Sequence, residues 1–496
     1  MKRPAIEDTA VKSGNAELDH VLGGGFARHR VYLLQGSPGS GKTTLALEFL
    51  LEGIKNDETV LYLTLSESEA ELQTVAASHG WSLDKMNIFE LLTTEEALQA
   101  ENQYTMYQPS EVELSMTTEA IIKEVERLKP ARVVVDSLSE LKLLAQSPLR
   151  FRRQILALKK FFTTRSCTVL FLDDKTAIGA PESFQLESIA HGVIDLEQLS
   201  PEYGAEKRRM RIKKFRGQKY RGGYHDFAIE KGGIFLFPRI IPSEHETIHD
   251  KGKLESGIAE IDMLMGGGVD EGTSVLLLGP AGIGKSTISQ QYAVTAARNG
   301  HQAVIFTFDE SISTMMHRSE GIGLELKKYV DEGLIHVQPI DPTEMSPGEF
   351  AHRVRMAVGG ENGTTPARVV VIDSLNGYLN AMPEERFLMS QMHELLTYLG
   401  HHGVVTFLVV AQHGLLGNAM QTPLDTSYLA DSVILFRYYE CDGEVRQAIS
   451  VVKKRSGDHE RTIRAFDITD KGIKVGEPLS KFRGVLTGTP VHQEQL

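Results

Sequence analysis

Short apolar runs punctuate the chain, and between them lie stretches with apolar residues at helical spacing. Val31-Tyr32-Leu33-Leu34, Val60–Leu65, Arg132-Val133-Val134-Val135-Asp136 and Thr168–Leu172 are too short for helices and apolar at consecutive positions. That is the pattern of strands buried on both faces of a parallel sheet. Residues 117–128 and 150–162 read as amphipathic helices between them. The same succession returns later: Val275-Leu276-Leu277-Leu278, Ala303–Phe308, Arg368–Asp373 and Val404–Ala411, with helical patterns over 347–358 and 383–399. Alternating strands and helices predict an α/β fold, a mostly parallel sheet with helices on both faces and right-handed crossovers. Near the end of each half the pattern becomes alternating, in Arg208–Arg216 and Arg446–Arg455, which predicts antiparallel strands at the sheet edge. The polar stretches 91–115 and 341–348 read as surface loops.

The turns after the first strand of each half carry the chemistry. Gly36-Ser37-Pro38-Gly39-Ser40-Gly41-Lys42-Thr43-Thr44 and Gly279-Pro280-Ala281-Gly282-Ile283-Gly284-Lys285-Ser286-Thr287 both satisfy G-x-x-x-x-G-K-[ST], 243 positions apart. In such a loop the glycines let backbone N–H groups turn onto phosphate oxygens, the lysine reaches the outer phosphates and the hydroxyl ligates Mg²⁺. Each is preceded by an apolar strand and followed by a helical stretch, the context the motif requires. About 90 residues after each lysine an apolar run ends in Asp136 or Asp373, followed by Ser-Leu both times. A carboxylate at a buried strand's tip can hold the water shell of the Mg²⁺. Gln412, at the end of another strand, is either a γ-phosphate sensor or an ordinary polar strand end.

The duplication extends upstream of the loops. Ser13–Gly25 pairs without a gap with Ser256–Gly268. A repeat of this period, in a chain of 496 residues, predicts two domains, placed at 1–245 and 246–496 by the linker after Phe237-Pro238-Arg239-Ile240-Ile241-Pro242.

Composition narrows the function class. No apolar run reaches the length of a membrane span, the N-terminus lacks an apolar signal segment, and Cys167 and Cys441 are too sparse for a disulfide framework. A cytoplasmic protein without membrane contact is the expectation. A formal charge of −13 argues against broad nucleic-acid coating, which depends on neutralising phosphates with cations.

The two phosphate loops, the Ser-Gly…Leu-Asp…Gly-Gly-Gly preamble, the Thr307-Phe308-Asp309-Glu310 segment and the Lys-x-Arg strands closely resemble the KaiC family of tandem RecA-like ATPases and autokinases, from about Ala10 to Pro490. The resemblance implies two RecA-like P-loop NTPase domains. It implies a homo-hexameric double ring with ATP and Mg²⁺ at subunit interfaces, and Kai-like or other signalling partners. Lys42 with Thr43 and Lys285 with Ser286 match the phosphate and metal residues, and Asp136 and Asp373 the second-motif carboxylates. The family's catalytic base comes from a pair of adjacent glutamates, here Asp309-Glu310 in the second half. The first half reads Ser66-Glu67, so either Glu67 takes the base's place or hydrolysis there is slower. Lys214 and Arg216, and Lys453 and Arg455, match cations that reach a neighbouring subunit's nucleotide; alternate residues on a strand share a face, so both members of a pair can meet one triphosphate. A solvated basic edge strand is the competing reading. Aligning Ala430-Asp431-Ser432 to the family's Thr-Asp-Thr puts Ser427, followed by Tyr428, at the autophosphorylation site. Two other classes stay open: a RecA-type DNA-acting motor, for which Lys207–Lys214 is the candidate basic surface, and a signalling scaffold held together by ATP with little turnover.

Overall fold

In the computed structural model, residues 10–91, 109–175, 183–201, 203–244, 252–359, 365–380, 387–412, 428–441, 443–486 and 491–492 are described. The chain divides into two compact units, Met1–Arg239 and Ile240–Leu496.

In the first unit the strands are β1 (Val31–Gly36), β2 (Val60–Thr64), β3 (Asn87–Glu90), β4 (Arg132–Asp136), β5 (Thr168–Asp174), β6 (Gly192–Leu199), β7 (Lys207–Phe215), β8 (Tyr224–Glu230) and β9 (Gly233–Phe237). They form one sheet in the order β3-β2-β4-β5-β1-β6-β7-β8-β9. β1 to β6 run parallel, and β7, β8 and β9 extend the sheet antiparallel. The second unit repeats this with β10 (Ser274–Gly279), β11 (Gln302–Thr307), β12 (Ile335–Pro339), β13 (Ala367–Asp373), β14 (Val405–Ala411), β15 (Ser432–Cys441), β16 (Glu444–Lys454), β17 (Arg464–Thr469) and β18 (Gly472–Pro478). Its order, β12-β11-β13-β14-β10-β15-β16-β17-β18, matches the first strand for strand.

Each sheet is buried on both sides because each strand sends alternate side chains to opposite faces. Tyr32 and Leu34 pack with helix α1 (Lys42–Lys55) in one cluster, while Val31 and Leu33 join the other cluster with Ile155 and Leu158. Val275 and Leu277 part from Leu276 in the same way. Helix α2 (Glu69–Ser78) opens with a capping box between Ser68 and Glu71.

Two expectations are corrected. The stretch 91–115 is not loop throughout, since helix α3 spans Pro109–Leu128; where the loop reading of 341–348 and the helical reading of 347–358 overlapped, the helix beginning at Pro347 follows the helical one. Both begin with proline, whose fixed φ and missing N–H suit the first helical position. The basic strands are also not sheet edges. β7 is paired on both sides over Arg208–Arg211 and β16 over Gln447–Ile449, so neither is the last strand of its sheet, while Lys214 and Lys453 lie in stretches paired on one side only.

The remaining helices that bear on the sites are α4 (Leu138–Ala145), α5 (Pro148–Thr164) and α6 (Ser183–Ile189) in the first unit. In the second they are α7 (Lys285–Arg298), α8 (Ile312–Gly321), α9 (Pro347–Gly359) and α10 (Leu388–His401). No helix among the described residues is long and apolar enough to cross a membrane.

Candidate nucleotide sites

Both phosphate loops lie between the sheet's central strand and a 14-residue helix whose first turn holds no acidic residue. A helix N-terminus of this kind directs N–H groups and a partial positive charge toward an anion. Gly41 and Gly284 enter these helices at φ 93° and 97°. A Cβ there would be strained, and would meet Ile229 Cδ1 at 2.7 Å or Ile468 Cδ1 at 2.3 Å. The loop residues differ in what they offer: Ile283 is core, and Thr44 and Thr287 are buried in the first turn of their helices. Their side chains are therefore packing or bridging groups, and the loop's contacts with a phosphate would come from backbone.

The two lysines are buried and folded back on their own loops. Lys42 Nζ donates to Gly36 O at 3.1 Å and Ser37 O at 2.9 Å. Lys285 Nζ donates to Gly279 O at 2.9 Å and Pro280 O at 2.6 Å. Burial pulls the Lys285 ammonium down to about 8, against the attraction of Asp373. Lys42 has a further partner that sequence reading missed, Asp174 Oδ1 at 2.7 Å.

Asp136 and Asp373 end the strands two places from the central one, where the sheet order sets them beside the loops. Burial raises both carboxyls from their ordinary value. Ser286 donates to Asp373, bringing together the two residues assigned to Mg²⁺ in the second half. In the first half the Tyr62 hydroxyl donates to Asp136 at 2.5 Å and is itself hydrogen-bonded to the Thr43 side chain. Tyr62 was not singled out from sequence, since an aromatic in a buried strand reads as core. Among the described residues no three His, Cys, Asp or Glu gather into a metal centre. One hydroxyl and one carboxylate per site suit a hard cation that keeps much of its coordination for water and phosphate.

The loops after β2 and β11 are built alike. Thr64 Oγ1 donates to Glu67 O at 2.6 Å, and Thr307 Oγ1 to Glu310 O at 2.9 Å. The carboxylates they present are in different states. Burial, then Asp136, Glu71 and Asp174, raise the Glu67 carboxyl, and its buried Oε2 has no hydrogen-bond partner among the described residues. Glu310 is gripped by Arg318 of α8, Nε to Oε1 at 3.1 Å and Nη2 to Oε2 at 2.8 Å, while Arg318 Nη1 donates to Thr287 Oγ1 at 3.0 Å. Asp309 accepts from Ser374 Oγ at 2.5 Å. Gln412 lies where its N–H bonds Gly279 O at 3.1 Å, with a buried Oε1 that lacks a partner among the described residues.

The paired cations are held by nearby carbonyls in both halves, and in the second by a carboxylate as well. Lys214 Nζ donates to Glu187 O at 2.7 Å and Ala190 O at 2.8 Å, around the last turn of α6, and Arg216 Nη2 to Ser188 O at 3.4 Å. Lys453 Nζ donates to Ala430 O at 2.8 Å, and Arg455 Nη1 meets Asp431 Oδ1 at 3.2 Å. A β-bulge precedes each pair, at Val193/Ile194 and Val433/Ile434, and so resets which face the following residues take. The basic run on β7 is neutralised by β6 and α6: Arg209 pairs with Glu197 at 2.9 Å, Arg211 with Asp195 at 3.1 Å and Lys213 with Glu187 at 2.9 Å. A groove for phosphodiesters needs uncommitted cations. Arg208, also missed, reaches Gly39 O of its own phosphate loop at 3.4 Å. Ser427 lies outside the described residues.

Comparison with known proteins gives one family. A family model for the KaiC ATPase matches residues 11–240 and again 254–480. The chain is 26% identical over 491 residues to the circadian clock protein KaiC3 of Synechocystis sp., covering 98% of this chain and 95% of that protein. It is 23% identical over 488 residues to the circadian clock oscillator protein KaiC of Acaryochloris marina, covering 98% and 92%. A KaiC of Parasynechococcus marenigrum is 25% identical over 487 residues, covering 96% and 92%.

Proposed function

The chain belongs to the KaiC family of ATPases, and from that premise we propose that both halves bind ATP with Mg²⁺ and that the chain hydrolyses it as a homo-hexameric double ring. The single observation that carries this reading is the doubled constellation of buried lysine, N-terminal helix turn and strand-tip carboxylate. Lys42 and Lys285 would turn from loop carbonyls to the outer phosphates. Thr43 with Asp136, and Ser286 with Asp373, would hold the Mg²⁺, whose charge screens the phosphates for attack.

The two halves differ in what can take a proton. Glu67, with its raised carboxyl and free Oε2, is the base for water in the first half. In the second, Arg318 occupies both Glu310 oxygens, so Asp309 is the base and Glu310 holds Arg318 in place. The acceptor there would be Ser427 of the same ring, or water. Lys214 with Arg216, and Lys453 with Arg455, would leave the carbonyls and, for Arg455, the Asp431 carboxylate that hold them to meet a neighbouring subunit's nucleotide across a head-to-tail interface, the kind of contact that closes into rings. Kai-type proteins are the class of partner for such a ring, in the cytoplasm.

The test follows the γ-phosphate of labelled ATP on the full chain, counting label released against label retained. Retention on Ser427, lost in Lys285→Ala, supports ATPase and autokinase together. Release without retention limits the second half to hydrolysis. Hexamers that neither release nor retain label would leave an ATP-held scaffold and overturn the enzymatic reading.

A further inference from the structure

The first site contains an internal anion that the second lacks. Asp174 Oδ1 stands 2.7 Å from Lys42 Nζ, at the end of β5. Its place is fixed by the sheet: Gly36 of the phosphate loop is in register with Asp174, and Gly279 is in register with Ala411. The two positions are structural equivalents, one with a carboxylate and one with a methyl group. Lys285 accordingly bonds only loop carbonyls among its described hydrogen bonds, whereas Lys42 has its ammonium shared between carbonyls and a carboxylate.

The surrounding charges differ in the same sense. Glu67, Asp136 and Asp174 interact with one another around Lys42. The second site also has three carboxylates, Asp309, Glu310 and Asp373, but they are accompanied by two cations, Lys285 and Arg318, where the first has Lys42. The next residue does not offset Asp174, because the Lys175 ammonium is committed to the buried Asp195. A γ-phosphate arriving at the first site meets more negative charge, and must take Lys42 from a carboxylate that already holds it.

We propose that Asp174 sets the first site's choice between nucleoside triphosphate and nucleoside diphosphate. It competes with the γ-phosphate for Lys42, and so lowers the first site's preference for triphosphate below that of the second. This rests on the reading that the Gly36–Thr43 loop binds nucleotide. The consequence for a ring is that its first-half sites release a hydrolysed nucleotide less readily in favour of fresh ATP, and the Lys42–Asp174 pair re-forms when the terminal phosphate leaves.

The test uses the full chain with Lys285→Ala, which confines lysine-assisted binding to the first site, and measures dissociation constants for ATP and ADP with Mg²⁺. Adding Asp174→Asn removes the charge at constant shape. The expected result is a rise of about tenfold in the preference for ATP over ADP, the scale of one screened charge interaction. The reciprocal variant, Ala411→Asp with Lys42→Ala, is expected to lower the second site's preference by a similar factor. Unbound first sites, with no difference between Lys285→Ala and the Lys42→Ala/Lys285→Ala double variant, would overturn the nucleotide reading itself. Binding that persists with an unchanged or lowered preference in Asp174→Asn would overturn the role of Asp174 alone.

Discussion

The Tyr62 hydroxyl donates to Asp136 Oδ2 at 2.5 Å, while the residue at the same place in the second half, Ile305, has no donor to give. The equivalence follows from register, Tyr62 facing Val134 and Ile305 facing Val371, two places before Asp136 and Asp373. The two strand-tip carboxylates are therefore held differently, one by a phenol and the other by the Ser286 hydroxyl.

Tyr62→Phe keeps the ring but leaves a buried carboxylate short of a donor. The cost of such an unmet group is about 1–3 kcal/mol. Trp81 is the chain's sole tryptophan and, half-buried, packs against the first unit's core, so its fluorescence follows that unit alone during denaturant unfolding. A first-unit transition at lower denaturant in Tyr62→Phe is the expected outcome; an unmoved midpoint would show that the bond contributes nothing net.

The carboxylates after β2 and β11 should respond unequally to substitution. Glu67→Gln, in a Lys285→Ala background, is expected to reduce phosphate release by about 100-fold or more, the usual scale for loss of a general base. In the second half, measured with Lys42→Ala, Asp309→Asn should have the large effect and Glu310→Gln the smaller one, because Arg318 already occupies both Glu310 oxygens. Equal losses for the last two would mean that the Arg318 grip opens during turnover.

The parts of these sites visible in the sequence are those whose residue types have few other uses. Gly41 and Gly284 need positive φ, and a lysine directly after such a glycine has little reason to be buried except a phosphate. The buried strands were legible for the same reason, since Val133-Val134-Val135 suits a strand covered on both faces, but their order in the sheet was not. Asp174, Tyr62 and Arg318 were not legible. Each acts through a partner, Lys42 and Asp136 brought by the sheet and Glu310 by the turn of α8, at separations of 132, 74 and 8 residues, and each alone looks like a strand end, a core aromatic or a helix surface charge. The edge-strand reading of Arg208–Arg216 failed over Arg208–Arg211 because alternation reports exposure of one face, not whether an eighth strand follows and pairs there.

Glu48 of α1 gives the first unit a pH-dependent stability. Burial pushes its carboxyl up to about 7, against one hydrogen bond from Ile234 N at 2.7 Å. A folded-state value above the unfolded one means the folded chain holds the proton more tightly. The unit is then most favoured below about 4.5, loses stability as pH rises to about 7 and changes no further above it. The full span corresponds to about 3 kcal/mol at most. Glu48→Gln should remove the slope, matching wild type near pH 4.5 and exceeding it by up to that amount at pH 8, as read by Trp81 fluorescence. Parallel pH profiles for the two proteins would show that Glu48 is solvated.

Lys285 provides a sign-definite test of phosphate binding in the second half. Its ammonium is pulled down to about 8 by burial, so above that pH the lysine is largely neutral before nucleotide arrives. Phosphate oxygens favour the charged form and raise its value on binding. Binding at pH 9 must therefore take up a proton, approaching one per site, whereas at pH 7 it takes up almost none. Affinity for ATP should fall up to tenfold per pH unit above about 8, by linkage. Calorimetry of Lys42→Ala in two buffers of different ionisation heat counts the protons directly. Uptake at pH 9 that vanishes at pH 7 is expected. Zero uptake at both would mean that Lys285 stays charged in its unbound loop, or that its ammonium does not meet the phosphates.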